Sequence, residues 1–461
     1  MTSLGVEGYR VPKGGVFLPD DAAVRQVCKA LSLKPFSPVD NGWVRPVGFF
    51  QETKEALFVP RQYGCATWGP PSKGWADAHL VQRMGEFPFV GGLRVLPDGT
   101  SQQQACDATL SELRSRGGCI LSLYTGAGKT TCALWVARAL GVKTAVVVHK
   151  EPLMAQWKER IEQFLPGARV GVVRGEHAVV LDESDVTICM IQSLLSVTRS
   201  HEGLEKVGLV ILDEVHHVAA RMFSRVFHKM TRPYMLGLSA TVDRKDRLHT
   251  AFDWLLGGVS YRAELKAAGG VSVRVVSHRT AVQVALNKRD QVNFTQMVSD
   301  LTEEPSRNAL LMRTLLEICD GRRSVLVLSD RRAHCKALHD AWNQQKPADE
   351  AETGVLLLGG AATLPEERRR LYFGTYSLMS EGVDIPHLDT LLMATPRADV
   401  KQSVGRVLRG NNRDSLVVDL VDSLGPLYAQ ARKRRNFYRL SGFHVTSGSE
   451  SNDRADVAFV G

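Results

Sequence analysis

The feature that most constrains the fold is an alternation of short apolar runs with segments of helical spacing, which begins at Gly117. The run from Gly117 to Tyr124 leads into a glycine turn and then into a segment with helical periodicity, and the same order recurs along the chain. Strands that alternate with helices predict a parallel sheet covered on both faces. A second series of this kind begins after Gly269. The sequence therefore predicts an α/β fold with two tandem parallel-sheet domains.

Changes in composition suggest where the domains begin and end. We place the first α/β domain at residues 93–265 and the second at residues 266–445. Residues 1–92 are rich in glycine, proline and aromatic residues and contain short strand-like pieces, which favours a small N-terminal accessory domain. Residues 446–461 are mostly polar and rich in serine, so we expect a flexible C-terminal tail there.

Charge and composition narrow the function classes. The formal net charge of +9 suits a polyanionic partner such as nucleic acid, because clustered lysine and arginine side chains attract phosphate. The eight cysteines are scattered without a C-x-x-C pair, which argues against a zinc site and a disulfide framework. No apolar run approaches the length of a membrane span, and the N-terminus lacks the apolar core of a signal peptide. We therefore expect a cytoplasmic or nuclear protein without a membrane partner.

A glycine turn between a strand and a helix predicts a phosphate site. Backbone N–H groups of such a turn close around phosphate oxygens, and the helix N-terminus adds partial positive charge. Lys129 is expected to reach the β- and γ-phosphates of ATP, and Thr130 is expected to bind Mg²⁺. Leu123 stands where the full P-loop pattern has glycine. The candidate residues are Thr125, Gly126, Ala127, Gly128, Lys129, Thr130 and Thr131.

Two adjacent carboxylates follow a later apolar run. Asp213 and Glu214 end the segment from Val207, and strand ends of α/β folds project side chains into the ligand crevice. We expect Asp213 to bind Mg²⁺ and Glu214 to orient and deprotonate the attacking water. His216, two residues further on, is expected to form a hydrogen bond across the cleft and to couple the two domains. The sequence thus predicts an ATP hydrolase that uses Mg²⁺.

Taken in order, these blocks resemble the motifs of superfamily 2 helicases. The glycine turn resembles motif I, and Asp213 to His216 reads as the DExH form of motif II. The other matching segments are Val146–Trp157 (Ia), Ile188–Leu194 (Ib), Ser239–Thr241 (III), Ser324–Leu338 (IV), Gly374–Tyr376 with Ser380–Pro386 (V) and Gln402–Arg409 (VI). The resemblance implies two tandem RecA-like domains with the ATP site between them.

The subgroup is similar to the xeroderma-pigmentosum-B-type, phage UvsW-type and poxvirus transcript-release helicases, which suggests a large DNA virus or phage as the source. The segment Phe58–Gly64 before the helicase motifs supports this resemblance. A member from a virus would act in the viral factory or the virion. In this family a Leu-Arg pair is usually followed by two residues and then by an adenine-contacting glutamine. Here Leu93-Arg94 is followed by a longer stretch.

The resemblance assigns further roles by position. Arg94 and a glutamine are expected at the nucleotide; the glutamine is Gln102, Gln103 or Gln104, and we assign Gln103. Arg406 and Arg409 are expected to offset charge on the γ-phosphate, with Gln402 holding that phosphate or its water. Gly382 and Asp384 are expected to touch the nucleotide, and Ser239 and Thr241 to join His216 in coupling. The candidate nucleic-acid contacts are His149, Lys150, Gln192, Ser193 and Arg331.

Together these observations predict an ATP-dependent helicase or translocase that moves on or unwinds DNA in repair, recombination or transcription. One alternative is an RNA helicase that acts in transcript release, and another is a non-catalytic nucleic-acid-binding subunit of a transcription complex. We expect a monomeric motor that associates with transcription or replication machinery. The basic run Arg432–Arg435, with Phe437 and Tyr438, is compatible with phosphate binding or with packing on the second domain.

Overall fold

The computed structural model describes residues 3–5, 8–34, 46–72, 80–96, 98–174, 177–178, 183–195, 203–215, 231–240, 249–265, 270–288, 290–319, 323–345, 354–358, 369–380, 385, 387–407 and 415–448. The chain divides into two compact units, Met1–Leu96 with Thr100–Ala263, and Pro97–Gly99 with Glu264–Gly461. None of the helices in the described ranges combines the length and the apolar character needed to cross a lipid bilayer.

The first unit begins with a small antiparallel sheet. Its strands follow the order β1-β2-β6-β5, and a short pair β3-β4 lies apart from it. The strands are β1 (Ser3–Gly5), β2 (Gly8–Pro12), β3 (Ser32–Leu33), β4 (Val47–Gly48), β5 (Gln51–Glu52) and β6 (Ala56–Val59), and the helices are α1 (Asp21–Ala30) and α2 (Arg61–Trp68). Tyr9, Val11, Leu57 and Val59 form the centre of a core that α1 and α2 cover.

Helix α2 attaches this sheet to the α/β domain of the same unit. Arg61 donates from Nη1 to the carbonyl oxygens of Pro233 at 2.7 Å and Gly117 at 3.4 Å. Gln62 Nε2 donates to the carbonyl oxygen of Arg116 at 3.1 Å, at the end of the next helix along the chain. The ring of Tyr63 lies edge-on to Trp254, with 5.9 Å between their centroids. The N-terminal sheet and the first α/β domain are therefore joined by hydrogen bonds and by aromatic packing.

The α/β domain of the first unit contains an eight-stranded sheet with the order β10-β9-β11-β8-β12-β13-β7-β14. Only the edge pair β10-β9 is antiparallel among the described strands of this sheet. The strands are β7 (Gly118–Leu123), β8 (Thr144–Val148), β9 (Val170–Arg174), β10 (His177–Ala178), β11 (Val186–Met190), β12 (Leu209–Leu212), β13 (Tyr234–Ser239) and β14 (Val259–Ala263). The helices are α3 (Gln102–Arg116), α4 (Lys129–Leu140), α5 (Glu151–Phe164), α6 (Ile191–Leu195) and α7 (His249–Leu255), with a 3-10 turn at Leu204–Lys206.

Burial explains why this sheet forms. Every residue of β7, β8, β11 and β12 is buried, so both faces of the central strands are covered. Such strands read as continuous apolar runs rather than as an alternation of apolar and polar residues. Burying each Val, Leu or Ile side chain contributes roughly 1.5–3 kcal/mol. The predicted parallel sheet of the first domain is confirmed.

The second unit contains a seven-stranded sheet in which all neighbouring strands are parallel, with the order β17-β18-β16-β19-β20-β15-β21. The strands are β15 (Val271–His278), β16 (Val325–Ser329), β17 (Val355–Leu357), β18 (Leu371–Thr375), β19 (Thr390–Met393), β20 (Ser415–Asp422) and β21 (His444–Gly448). The helices are α8 (Phe294–Glu303), α9 (Pro305–Ile318), α10 (Arg332–Gln345), α11 (Tyr376–Ser380), α12 (Lys401–Val407) and α13 (Gly425–Leu440). The predicted fold class, two tandem parallel-sheet domains with a small N-terminal region, is confirmed.

Strand β21 corrects one predicted boundary. Residues 446–461 were expected to form a flexible tail, but β21 continues to Gly448 and pairs with β15 over its whole length. Thr446 Oγ1 also donates to the carbonyl oxygen of Val273 at 3.3 Å. The strand is polar because it lies at the edge of the sheet, where backbone hydrogen bonds rather than buried side chains hold it. The tail prediction is therefore wrong for residues 446–448, and residues 449–461 lie outside the described part of the chain.

Helix α13 divides its basic run between two faces. Arg434 is 1% exposed, and its Nη2 donates to Asp419 Oδ1 at 2.7 Å. Tyr438, fully buried, donates its hydroxyl to Asp419 Oδ2 at 3.0 Å. Arg432 and Arg435 are exposed. The packing interpretation is therefore right for Arg434 and Tyr438, whose positions face the sheet of the second unit.

The buried ion pair gives a stability prediction. We expect Arg434→Ala to lower the free energy of unfolding of the second unit by about 3–5 kcal/mol, because Asp419 would remain buried without its cation. Arg435→Ala, one residue further along the same helix, should change it by less than about 0.5 kcal/mol. Urea unfolding followed by circular dichroism measures both. Equal shifts in the two unfolding midpoints would contradict a structural role for the pair.

Candidate nucleotide-binding site

The candidate site lies at the carboxyl edge of the first parallel sheet. The glycine turn follows β7, Asp213 follows β12, and Ser239 ends β13, which lies between these two strands. Parallel neighbours are about 4.8 Å apart and end at the same edge, so the three segments lie side by side. Ser239 is 1% exposed, so its side chain is buried at this edge of the sheet.

The glycine turn has the backbone that phosphate binding requires. Gly126 and Gly128 have φ values of +94° and +86°, in the left-handed region that favours glycine. A Cβ atom on Gly128 would lie 2.3 Å from Nε2 of Gln102, so a larger residue would have to displace that side chain and also adopt a strained backbone. Helix α4 begins at Lys129. Its N-cap residue is Gly128, so no side chain at that position bonds to the N–H groups of the first turn. The N–H groups of its first turn, which include Thr130 and Thr131, are therefore suited to bind an anion.

Lys129 lies folded against the turn. Its Nζ donates to the carbonyl oxygen of Leu123 at 3.1 Å, and the residue is half-buried. The Lys129 charge also acts on Asp213, whose carboxylate it helps to keep ionised. The ammonium group is thus held at the end of β7 and acts electrostatically on the carboxylate, as expected of a group that binds a phosphate chain.

Asp213 is a buried carboxylate with opposing influences on its ionisation. Burial, followed by the neighbouring charge of Glu214, raises the pKa of Asp213 to about 6. The indole of Trp157 and the charge of Lys129 lower that pKa, since both favour the ionised form. Trp157 Nε1 donates to Asp213 Oδ2 at 2.8 Å. Glu214 has a φ of +48°, which is unusual for a residue with a side chain and frequent at functional sites.

These residues fit ATP with Mg²⁺. Within the described ranges, no group of three or more His, Cys, Asp or Glu side chains could hold a metal ion. Mg²⁺ in nucleotide sites needs no such cluster, because it takes one or two protein oxygens and completes its shell with phosphate oxygens and water. Thr130 at the start of α4 and Asp213 at the end of β12 offer such oxygens. Two adjacent carboxylates near one lysine also leave negative charge that a cation would offset.

The glutamine beside the glycine turn is Gln102, not the assigned Gln103. Gln102 is 1% exposed, accepts from the backbone N–H of Arg94 at 2.9 Å, and donates to the carbonyl oxygen of Ala127 at 2.9 Å. Gln103 is exposed, and its amide donates to Asp107 on the same helix. The side chain of Arg94 is exposed, so its backbone rather than its guanidinium group makes this link. Gln102 therefore ties the segment before α3 to the turn that contains Ala127.

The predicted nucleic-acid contacts of the first unit meet at neighbouring strand ends. His149 and Lys150 follow β8, and Gln192 follows β11, the next strand in the sheet. Gln192 Nε2 donates to the carbonyl oxygen of His149 at 3.2 Å. Gln192 is exposed, His149 and Lys150 are half-buried, and Ser193 is 8% exposed. Three of the four residues are therefore accessible at one edge, whereas the side chain of Ser193 is buried.

The predicted residues of the second unit are only partly described. Arg331 precedes α10 and donates to Ser299 Oγ at 3.1 Å and to the carbonyl oxygen of Thr295 at 2.8 Å, so it anchors α8. Gln402 lies on α12 and is half-buried. Arg406 lies on the same helix, but its side chain is not among the described parts of the structure. The remaining predicted residues lie outside the described part of the chain: His216, Thr241, Gly382, Asp384 and Arg409.

The chain is similar in sequence to one protein family and to several individual proteins. Residues 98–244, about a third of the chain, match the family described as the res subunit of type III restriction enzymes. A protein of Acanthamoeba polyphaga mimivirus named "Putative ATP-dependent RNA helicase" is 28% identical over 94% of this chain and 83% of its own length. The DNA 3'-5' translocase XPB2 of Sulfurisphaera tokodaii is 26% identical over 76% of this chain and 86% of its own.

Two solved structures share the fold. S. cerevisiae Dbp5 bound to RNA and ADP BeF3 aligns with a TM-score of 0.53 and 13% identity, over 75% of this chain and 89% of its own. A fragment of an HsdR subunit of a type I restriction enzyme from Vibrio vulnificus aligns with the same TM-score and 14% identity, over 75% of this chain and 67% of its own. At these identities the likeness concerns the fold alone.

The position of Gln102 gives a second prediction. We expect Gln102→Ala to weaken binding of a fluorescent ADP analogue by about fivefold to tenfold, because the glycine turn loses hydrogen bonds worth roughly 1 kcal/mol each. Gln103→Ala should leave the dissociation constant unchanged, since that side chain bonds only to Asp107 among the described residues. Fluorescence titration of both variants measures this. A larger loss for Gln103→Ala would restore the original assignment.

Proposed function

We propose that this chain hydrolyses ATP with Mg²⁺ to move along duplex DNA. It contains a helicase domain of the ResIII family and is a nucleic-acid helicase or translocase. One observation supports this most directly. The glycine turn with Lys129 and the carboxylates Asp213 and Glu214 lie at one edge of a parallel sheet, within the segment that matches the family. Such an edge is where α/β proteins bind nucleotides.

The residues of the chain divide the work of hydrolysis. The N–H groups at the start of α4 and the ammonium group of Lys129 bind and orient the phosphate chain. Bound Mg²⁺ supplies positive charge that polarises the terminal phosphate. Thr130 and Asp213 hold that ion, directly or through water, and Glu214 orients the attacking water and accepts its proton. We assign Arg406 and Arg409 to the charge that develops on the phosphate, and Gln402 to its positioning.

Two similarities favour DNA as the nucleic acid along which this chain moves. The family that residues 98–244 match is described as the res subunit of type III restriction enzymes. The relative XPB2, which aligns over 76% of this chain, is named as a DNA translocase. The formal charge of +9 suits a polyphosphate backbone, whichever nucleic acid carries it. We assign the backbone grip in the first unit to the exposed edge at His149, Lys150 and Gln192. A role in repair, recombination or transcription as a monomeric motor, with replication or transcription machinery as partner, fits this activity.

RNA is the second candidate because of the viral relatives. The mimivirus protein, which aligns over 94% of this chain, is named as an RNA helicase, as is a protein of African swine fever virus that is 25% identical over 76% of this chain and 74% of its own. A motor for RNA would contact 2′-hydroxyl groups in addition to phosphates. DNA and RNA are therefore distinguished by which polynucleotide stimulates the ATPase.

The substrate prediction is tested on the full chain. We expect duplex DNA to stimulate ATP hydrolysis at least about tenfold more than single-stranded RNA at equal nucleotide concentration, because the grip is on a duplex backbone. Phosphate release is measured with duplex DNA, single-stranded DNA and single-stranded RNA side by side. Preferential stimulation by RNA would replace the DNA proposal with the RNA helicase. An absence of phosphate release with every polynucleotide would overturn the motor itself.

A substitution at the water-activating carboxylate tests the chemistry. We expect Glu214→Gln to lower the stimulated kcat by about 10²–10⁴-fold, the range for loss of a general base. Affinity for the fluorescent ADP analogue should stay within about twofold. The matched control is Glu159→Gln, which changes an exposed glutamate on α5 and should leave kcat unchanged. A Glu214→Gln variant that retains wild-type turnover would contradict the role of Glu214.

A further inference from the structure

One contact at the nucleotide site has no role in the steps given above. Trp157 lies on α5 and is 1% exposed, and its indole Nε1 donates to Asp213 Oδ2 at 2.8 Å. Asp213 is 8% exposed, so water has little access to this carboxylate. An indole N–H is a donor only, and it has no lone pair to offer in exchange. The bond is therefore directed, from a buried ring to one chosen oxygen of the carboxylate.

The indole occupies one oxygen and leaves the other for a different partner. A carboxylate rotates about its Cβ–Cγ bond unless its oxygens are held. With Oδ2 bonded to Trp157, the direction of Oδ1 is fixed as well. Lys129, whose charge favours the ionised form of Asp213, lies toward the glycine turn. The carboxylate is thus held in one orientation before any cation binds.

The ring itself cannot move easily. Trp157 is one of four buried side chains of α5. The other three, Leu153, Met154 and Ile161, lie in the same hydrophobic core. Asp213 is held in turn through its backbone, since its N–H donates to the carbonyl oxygen of Val147 in the neighbouring strand at 3.0 Å. Donor and acceptor are therefore both fixed by buried structure. Partners that orient a metal ligand in this way commonly change metal affinity by about 10- to 100-fold when they are removed.

We propose that Trp157 is a positioning residue for Mg²⁺, which holds the Asp213 carboxylate in the orientation that binds the nucleotide-associated ion. This inference rests on the proposed function, because it concerns the metal of the same ATP site. Trp157 touches neither nucleotide nor metal; it acts through Asp213. Loss of its N–H should therefore weaken the contribution of Mg²⁺ to nucleotide binding while the binding of free nucleotide stays the same.

The experiment removes the N–H and keeps the ring. Replacing Trp157 with benzothienylalanine by amber suppression substitutes sulfur for the indole nitrogen at nearly constant shape, and Trp157→Phe is the simpler variant. The matched control is Trp342→Phe on α10, because Trp342 is also 1% exposed and its buried Nε1 has no hydrogen-bond partner among the residues that the structure describes. Thermal unfolding establishes that each protein is folded before titration.

The readout is the affinity for a fluorescent ADP analogue with and without Mg²⁺. We expect both Trp157 variants to bind the free analogue with the same affinity as the wild type. The factor by which Mg²⁺ increases the affinity should be about tenfold smaller in the variants than in the wild type. In the ATPase assay, the KM for the Mg²⁺–ATP complex should rise by a similar factor, because the variants bind that complex more weakly. Trp342→Phe should match the wild type in both measurements.

Three outcomes would overturn the positioning role. In the first, a folded benzothienylalanine variant keeps the full Mg²⁺ gain. In the second, free and Mg²⁺-bound nucleotide weaken equally, which indicates a general packing defect. In the third, Trp342→Phe loses as much of the Mg²⁺ gain as the Trp157 variants do. A wild-type protein that binds no nucleotide at all would instead overturn the proposed function, so the two failures are distinguishable.

Discussion

Parallel pairing of four adjacent strands brings the chemical groups of the nucleotide site together. In the order β8-β12-β13-β7, Leu212 lies opposite Val147 on one side and Gly237 on the other, and Ser239 lies opposite Ser122. A shift of one residue in β12 would turn its side chains to the opposite face and move Asp213 away from the glycine turn. Both faces of β12 are buried, so the close packing of particular side chains on each face, rather than an alternation of apolar and polar residues, opposes such a shift. The geometry of the site therefore depends on the hydrophobic core beneath it.

The sequence predicted those parts of the fold in which one strong signal dominates. The central strands are apolar runs because both their faces are buried, and the glycine turn is recognisable from its spacing before a helix. Strands β14 and β21 give no such signal. They contain polar residues such as Ser260 and Thr446, and backbone pairing at a sheet edge gives no apolar pattern. The first domain was placed at residues 93–265, and the division of the chain in the structure falls after Ala263.

Two side-chain assignments show what helical spacing could have added. The buried face of α3 contains Ala105, Cys106, Thr109 and Leu113, and Gln102 precedes them by three, four, seven and eleven positions. That spacing distinguishes Gln102 from its exposed neighbours. Arg434 likewise shares a face with Ala431 and Tyr438, which separates it from the exposed members of its run. By contrast, the bond from Trp157 to Asp213 joins residues 56 positions apart, and no local pattern predicts it.

The anchoring of α2 has a consequence for how the N-terminal sheet takes part in movement. Burial lowers the pKa of the Arg61 guanidinium group, which donates to two carbonyl oxygens of the α/β domain. Separating the two would exchange these hydrogen bonds, each worth about 1.5–3 kcal/mol for a charged donor, for bonds to water. The N-terminal sheet and the first α/β domain are therefore packed as one compact unit. When the first α/β domain moves, residues 8–34 and 46–68 are expected to move with it. A nucleic acid bound to these residues would then be displaced by the same distance.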